Sequence, residues 1–147
     1  MSNNKSQNVR TTGILQNNLG VAVAAHLELV NLNTSDVEVR VQVLNWGTAV
    51  TQTNPVSTLL DVTQTLPGNT RTAFSATIPA SFHYEVRLSV NTENRNRNNN
   101  NNGGNNKADS DNVLLNTYAR TAVGAGQVVG LSVLDSQFQT VSIENCF

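Results

Sequence analysis

Apolar side chains recur every second residue along this chain, and that period restricts its fold more than any other feature. Val37, Val39, Val41 and Val43 alternate with Glu38, Arg40 and Gln42. Phe82, Tyr84, Val86, Leu88 and Val90 alternate with His83, Glu85 and Arg87. The pattern repeats in Val21, Val23, Ala25, Leu27 and Leu29, and again in Phe74, Ala76 and Ile78. A strand turns successive side chains to opposite faces, so each segment offers one face to a core and one to water or a partner. β-Branched Val and Thr suit that pleated surface. Turn residues separate the runs, as in Asn31 to Asp36, Asn54-Pro55, Leu66-Pro67-Gly68-Asn69, Pro79-Ala80-Ser81 and Gly124-Ala125-Gly126. The expected fold is all-β: an antiparallel two-sheet β-sandwich, immunoglobulin-like or jelly-roll, of about eight or nine strands. The strands are expected near 9–16, 21–32, 36–46, 57–66, 70–78, 82–91, 113–121, 127–134 and 138–143.

The same pattern divides the chain. A flexible polar leader, residues 1–12, is a possible connector ahead of a single sandwich domain, residues 13–147. An Asn-rich insertion at about 92–111 contains Asn94-Arg95-Asn96-Arg97 and the run Asn98 to Asn102. Ala108 is its one apolar side chain, so it is expected to be a disordered, solvated loop.

Composition removes several classes of function. Only 13% of the 147 residues are charged, and the net charge is −1. No basic excess exists to hold a phosphate backbone, so nucleic acid is not an expected partner. No apolar run approaches the roughly 20 residues that span a bilayer, so no membrane partner is expected either. Two His and one Cys do not make a His/Cys metal cage. There is no Gly-rich phosphate loop and no Gly-x-Ser-x-Gly elbow. His26 and His83 fall on the outer faces of their strands, without a coherent nucleophile and acid beside them. No catalytic or metal residues are therefore assigned, no cofactor is expected, and the chain is read as a non-enzyme. Asp109-Ser110-Asp111-Asn112 looks like the start of a calcium loop, but it lacks the Gly and distal Glu of an EF-hand. The matches to the N-glycosylation pattern at Asn4 and Asn33 read as chance in an Asn-rich chain.

Two sets of residues point toward contacts between copies, and a third toward strand register within the chain. Val9-Arg10-Thr11-Thr12-Gly13-Ile14-Leu15 is a candidate donated strand, able to add to a neighbour's sheet, although the same residues serve equally as the first strand of their own domain. Cys146 is the only Cys, so an intrachain disulfide is impossible and an inter-subunit one is the candidate role. Glu38 and Arg40 face Glu85 and Arg87 across two strands that neighbour each other in many Greek-key sandwiches, predicting the cross-strand pairs Glu38–Arg87 and Arg40–Glu85. Low charge on outer faces, together with Leu44, Leu60 and Leu114, weakens the repulsion that keeps copies apart. Tyr84 opens a strand after a corner, in the manner of a tyrosine corner, and Trp46 closes a strand as a core lid. The alternative function is a monomeric ligand-binding module, carbohydrate-binding or adhesin-type. It needs an exposed aromatic platform, for which Trp46 and Tyr118 are the candidates.

The stretch Val37-Glu38-Val39-Arg40-Val41-Gln42-Val43-Leu44-Asn45-Trp46, and the run from Asn69-Thr70-Arg71-Thr72 through Phe82-His83-Tyr84-Glu85-Val86-Arg87, resemble small β-sandwich proteins of spore-forming Bacillus-type bacteria. The likeness covers about residues 20–143 and carries no catalytic motif. It implies a structural, self-assembling subunit of a spore-surface layer or endospore appendage, located on the spore surface or outside the cell without a secretory signal peptide. Its expected partners are copies of itself and other spore-surface proteins. Appendage subunits carry several Cys that cross-link the fibre. This chain departs from that pattern, because its leader has no Cys, so the joints are expected to be non-covalent strand contacts.

Overall fold

The computed structural model describes residues 6–17, 21–92, 108–122 and 126–144. Residues 1–5 of the leader, residues 93–107 of the insertion, and Cys146 lie outside them. The described residues form nine strands: β1 (Ser6–Thr11), β2 (Ala24–Asn31), β3 (Val37–Gly47), β4 (Ser57–Leu66), β5 (Thr70–Thr77), β6 (His83–Asn91), β7 (Val113–Arg120), β8 (Gln127–Val133) and β9 (Gln139–Glu144). They build a five-stranded sheet, β4-β3-β6-β1-β9, and a four-stranded sheet, β5-β2-β7-β8, with every pairing antiparallel. The protein is a two-sheet β-sandwich.

Alternation explains the core directly. Ala25, Leu27 and Leu29 of β2, with Val113 and Leu115 of β7, meet Val37, Val39, Val41 and Val43 of β3 and Tyr84, Val86 and Leu88 of β6. All of these are at most 2% exposed. Each fully buried aliphatic side chain contributes about 1.5–3 kcal/mol of transfer free energy, so this inner layer drives closure of the sandwich.

Two strands, β1 and β2, differ from the sequence reading by more than a residue at an end. β1 begins and ends earlier than the expected 9–16, because Gly13 takes a left-handed backbone (φ 66°) that ends the ladder. Leu15 rejoins the sheet only as an isolated bridge to Tyr84. Val21 and Val23 face solvent, and Ala22 is the buried residue between them. The amide of Asn17 holds Ala22 by both backbone groups, donating to its carbonyl (2.9 Å) and accepting from its N–H (3.2 Å), which sets the register. Leu60, expected on an outer face, pairs with Val43 beside a bulge at Leu59 of β4 and packs against the core.

The core continues into a polar plug at one end of β2. Asn31, fully buried, donates to the carbonyls of Ser35, Leu66 and Pro67 at 3.0–3.1 Å. Its carbonyl oxygen accepts from the backbone and side-chain N–H of Asn33. Asn33 in turn exchanges bonds with both backbone groups of Asp109. The amide that the glycosylation pattern singled out is thus spent inside the fold. Asp109 caps the 3-10 turn Ser110–Asn112 by accepting from the N–H of Asp111, and Ala108 is buried in the core. The carboxylate that suggested a calcium loop serves as this cap.

Tyr84 does not make a tyrosine corner. Its ring is fully buried, and its hydroxyl has no hydrogen-bond partner among the described residues. Burial pushes the phenol up to about 12. An unsatisfied buried hydroxyl costs about 1–3 kcal/mol. Tyr84→Phe is expected to leave stability unchanged or raise it by about 1 kcal/mol in urea unfolding. A loss of 2 kcal/mol or more would restore the corner reading.

Candidate functional site

β6 alternates, so Glu85 and Arg87 point away from the core, yet Glu85 is only 5% exposed. Residues from three other positions cover it. Trp46, at the end of β3, donates its indole N–H to Glu85 Oε2 (2.8 Å). Thr11, at the end of β1, donates its hydroxyl to Oε1 (2.7 Å). Arg87 donates from Nε to Oε1 (2.7 Å) and from Nη2 to Oε2 (3.1 Å). Burial alone raises the Glu85 pKa, but the bonds from Arg87, Thr11 and Trp46 outweigh it, and the carboxyl sits below its ordinary value of 4.5. The result is a fixed anion on the outer face, with an indole locked over it.

Beyond Trp46 lies a cavity of about 280 Å³ lined by Ile14, Trp46, Ala49, Val50, Gln52 and His83. The loop between β3 and β4 supplies Ala49, Val50 and Gln52. That loop leaves β3 through Gly47, whose backbone is left-handed (φ 66°) and whose Hα side lies against Val56, so a Cβ there would meet the Val56 methyl at 2.9 Å. Trp46 is therefore part of the outer surface rather than a lid on the core.

The opposite outer face, on the four-stranded sheet, carries His26, Glu28, Arg71, Tyr118 and Arg120. His26 Nε2 lies 2.7 Å from Glu28 Oε1, and Arg71 closes on the other oxygen at 2.5 Å. The hydrogen bond with His26, aided by Arg71, lowers the Glu28 pKa. The Tyr118 ring lies 5.0 Å from His26 and beneath the Arg120 guanidinium at 5.3 Å, so this aromatic is already occupied.

The charge pairs expected between β3 and β6 do not form. The strands are neighbours, but the register sets Glu38 opposite Asn91 and Arg40 opposite Ser89. Arg40 instead clasps Asp61 of β4 in a bidentate pair, Nε to Oδ1 (2.8 Å) and Nη2 to Oδ2 (2.7 Å), and those bonds lower the Asp61 pKa. Glu85 is held by Arg87 of its own strand. β3 and β6 are not joined by a short turn, so no local geometry fixed their register, and a shift along the strands replaced every predicted partner.

The candidate donated segment, Val9 to Leu15, fills a place in its own sheet. β1 runs between β6 and β9, in register Val9–Ser89 and Val9–Val141. Val9 is buried. Arg10 turns inward and crosses to the other sheet, bonding Asp135 Oδ1 (2.8 Å) and the carbonyls of Val113 and Ser110. Thr12 accepts from the N–H of Val86 (3.0 Å), and Ile14 is half exposed.

The sandwich has an open side. β8 and β9 are the outermost strands of their sheets and are joined by the 3-10 turn Asp135–Gln137. β8 has no charged residue, and β9 has one, Glu144. β8 is bulged against β7, and Val129 is fully exposed next to Gly130 (φ 85°). With Ile14, Leu15 and Val21 it lines an apolar groove. β9 is regular: six consecutive residues pair with β1, and it is the last strand of its sheet.

No family model matches the chain, and no curated protein matches it. Two solved structures are similar. The Anabaena sensory rhodopsin transducer is 12% identical, with a TM-score of 0.36 over 61% of this chain and 78% of that one. The Thermotoga maritima 1070 structure is 8% identical, with a TM-score of 0.42 over 95% of this chain and 93% of that one. Likeness at this level carries no argument about function.

A carboxyl with a lowered folded pKa stabilises fully above its unfolded value and loses that stabilisation as pH falls through the folded one. Glu85, Asp61 and Glu28 all have that sign. Urea unfolding is expected to show stability falling below pH about 4.5. Glu85→Gln is expected to cost about 2 kcal/mol at pH 7 and to flatten the acid slope. Equal slopes in the two proteins would remove Glu85 from this role.

Proposed function

We propose that this protein is a structural self-assembling subunit of an extracellular or spore-surface fibre or layer, joined by non-covalent strand contacts. One observation carries the reading. The five-stranded sheet ends in two edges, β4 and β9, of which β9 lacks the usual protections and β4 has one, a bulge at Leu59. Natural sheets blunt their edges with Lys, Pro, bulges or covering elements, because unpaired N–H and C=O groups template further strands. β9 has no Lys, no Pro and no bulge in its pairing with β1. β4 carries a single charge, Asp61, which Arg40 neutralises. β9 of one copy laid against β4 of the next extends the sheet head to tail, and a head-to-tail contact that does not close gives a filament. Exposed Val129, Ile14 and Val21 add an apolar patch on the same molecule.

The segment Val9 to Leu15 enters this scheme as the strand that supports β9. Its donation to a neighbour amounts to exchanging β1 between copies, with the chain after Gly13 as the hinge. Cys146 follows β9 by two residues in sequence and is the candidate for an inter-subunit disulfide at a β9 joint.

Lys pairs on each edge test the proposal. Val141→Lys with Gln139→Lys on β9 is expected to abolish polymers in negative-stain images and light scattering while leaving a folded monomer. Thr63→Lys with Thr65→Lys on β4 is expected to do the same. Each variant keeps one intact edge, so mixing the two should give dimers and nothing longer. Polymers that survive both changes would move the joint elsewhere, and a wild type that stays monomeric at high concentration, reduced or oxidised, would end the proposal.

A further inference from the structure

We infer that the cavity beside Trp46 is a binding site for one neutral hexopyranose ring. This goes beyond assembly and does not depend on it.

Trp46 is the only Trp in the chain, and it lies outside the core. Its N–H is fixed to Glu85, and Glu85 is fixed by Thr11 and Arg87. An aromatic surface held in place before binding loses little rotamer freedom when a ligand arrives. Apolar side chains surround it without being covered: Val50 is fully exposed and Ile14 half exposed. The other candidate platform, Tyr118, is excluded because His26 and Arg120 already engage its ring.

The polar groups at the rim narrow the ligand class. Gln52 donates its amide N–H to the carbonyl of Asn54 (2.8 Å), which orients its own carbonyl oxygen as an acceptor with no partner among the described residues. The His83 ring also has no hydrogen-bond partner there, so it offers one donor and one acceptor in its neutral form. No Lys, Arg, Asp or Glu lines the cavity. Arg87, the nearest cation on β6, is spent on Glu85. A phosphate, a carboxylate or an ammonium group would enter without a counter-charge, so the ligand is neutral.

Shape completes the choice. A cavity of about 280 Å³ lies just below the roughly 300–1,000 Å³ of drug-sized sites, and it holds a single ring rather than an extended chain. A hexopyranose has one face of C–H groups, which suits an indole, and hydroxyls around its edge, which suit an imidazole and an amide carbonyl. A purely aromatic or aliphatic ligand would fill the space but leave Gln52 and His83 unpaired, a costly arrangement once water is excluded.

Trp46 reports on the site through its own fluorescence, since no other Trp contributes. The full chain, carrying the β9 Lys pair so that assembly does not intrude, is titrated with D-glucose, D-galactose, D-mannose and N-acetyl-D-glucosamine. At least one sugar is expected to give a saturable change in emission with a Kd on the order of millimolar, consistent with a ligand of about a dozen heavy atoms. His83→Ala and Gln52→Ala are each expected to weaken it about fivefold or more while leaving the emission maximum of the free protein unchanged. Saturation-transfer NMR on the same samples is expected to mark the ring C–H protons. The absence of a saturable response to all four sugars by both methods overturns the assignment. So does binding that both alanine variants retain in full.

Discussion

β1 fills the slot between β6 and β9, and three contacts that tie the molecule together start from it and the residues just after it. Arg10 crosses to the opposite sheet and joins Asp135 to the start of β7. Thr11 reaches outward to the buried carboxylate of Glu85. Leu15 returns to bridge Tyr84 at the head of β6. One short segment thus fixes the spacing of the two sheets, the charge on the outer face and the position of the last strand. With β1 in place, β9 becomes the edge. Without it, β6 loses a partner along Val9 to Thr11, and Glu85 loses a donor.

The sandwich and most strand positions were legible because burying one face of a strand leaves a mark at every second residue. β3 and β6 carry that mark without interruption, and their expected and observed limits nearly coincide. Legibility ended where a distant side chain overruled the local pattern. Val21 and Val23 continue the alternation on paper, but Asn17 seizes Ala22 and turns them outward. Glu85 reads as a solvated outer residue, because nothing in its own strand announces that Trp46 and Thr11 will cover it. The pairs drawn between β3 and β6 failed for a related reason. Which strands neighbour each other follows from topology, but their register is settled by the whole core and by the bulge at Trp46 in β3.

Low charge takes on a sharper meaning in three dimensions. Among the described residues, charges pair with one another on outer faces: Arg40 with Asp61, Arg87 with Glu85, Arg71 with Glu28. The two more exposed pairs, Arg40–Asp61 and Arg71–Glu28, contribute only about 0.2–1 kcal/mol each, so their main effect is to leave the faces nearly neutral. β8 and β9 carry almost no charge at all. The surface therefore has little to repel a second copy, and along β9 it has a row of backbone groups that a second copy can satisfy. The same outer face holds a pinned indole beside uncommitted polar groups, so contact between copies and capture of a small ligand are compatible uses of one sheet.

The central claim is that copies meet along the edges of the five-stranded sheet. Backbone amide exchange, read by mass spectrometry on polymer and on the β9-blocked monomer, tests it most directly. The account predicts added protection confined to peptides covering Gln139–Glu144 and Ser57–Leu66, where free N–H groups become paired. Equal exchange of those two strands in both states, or protection gained only elsewhere, contradicts it.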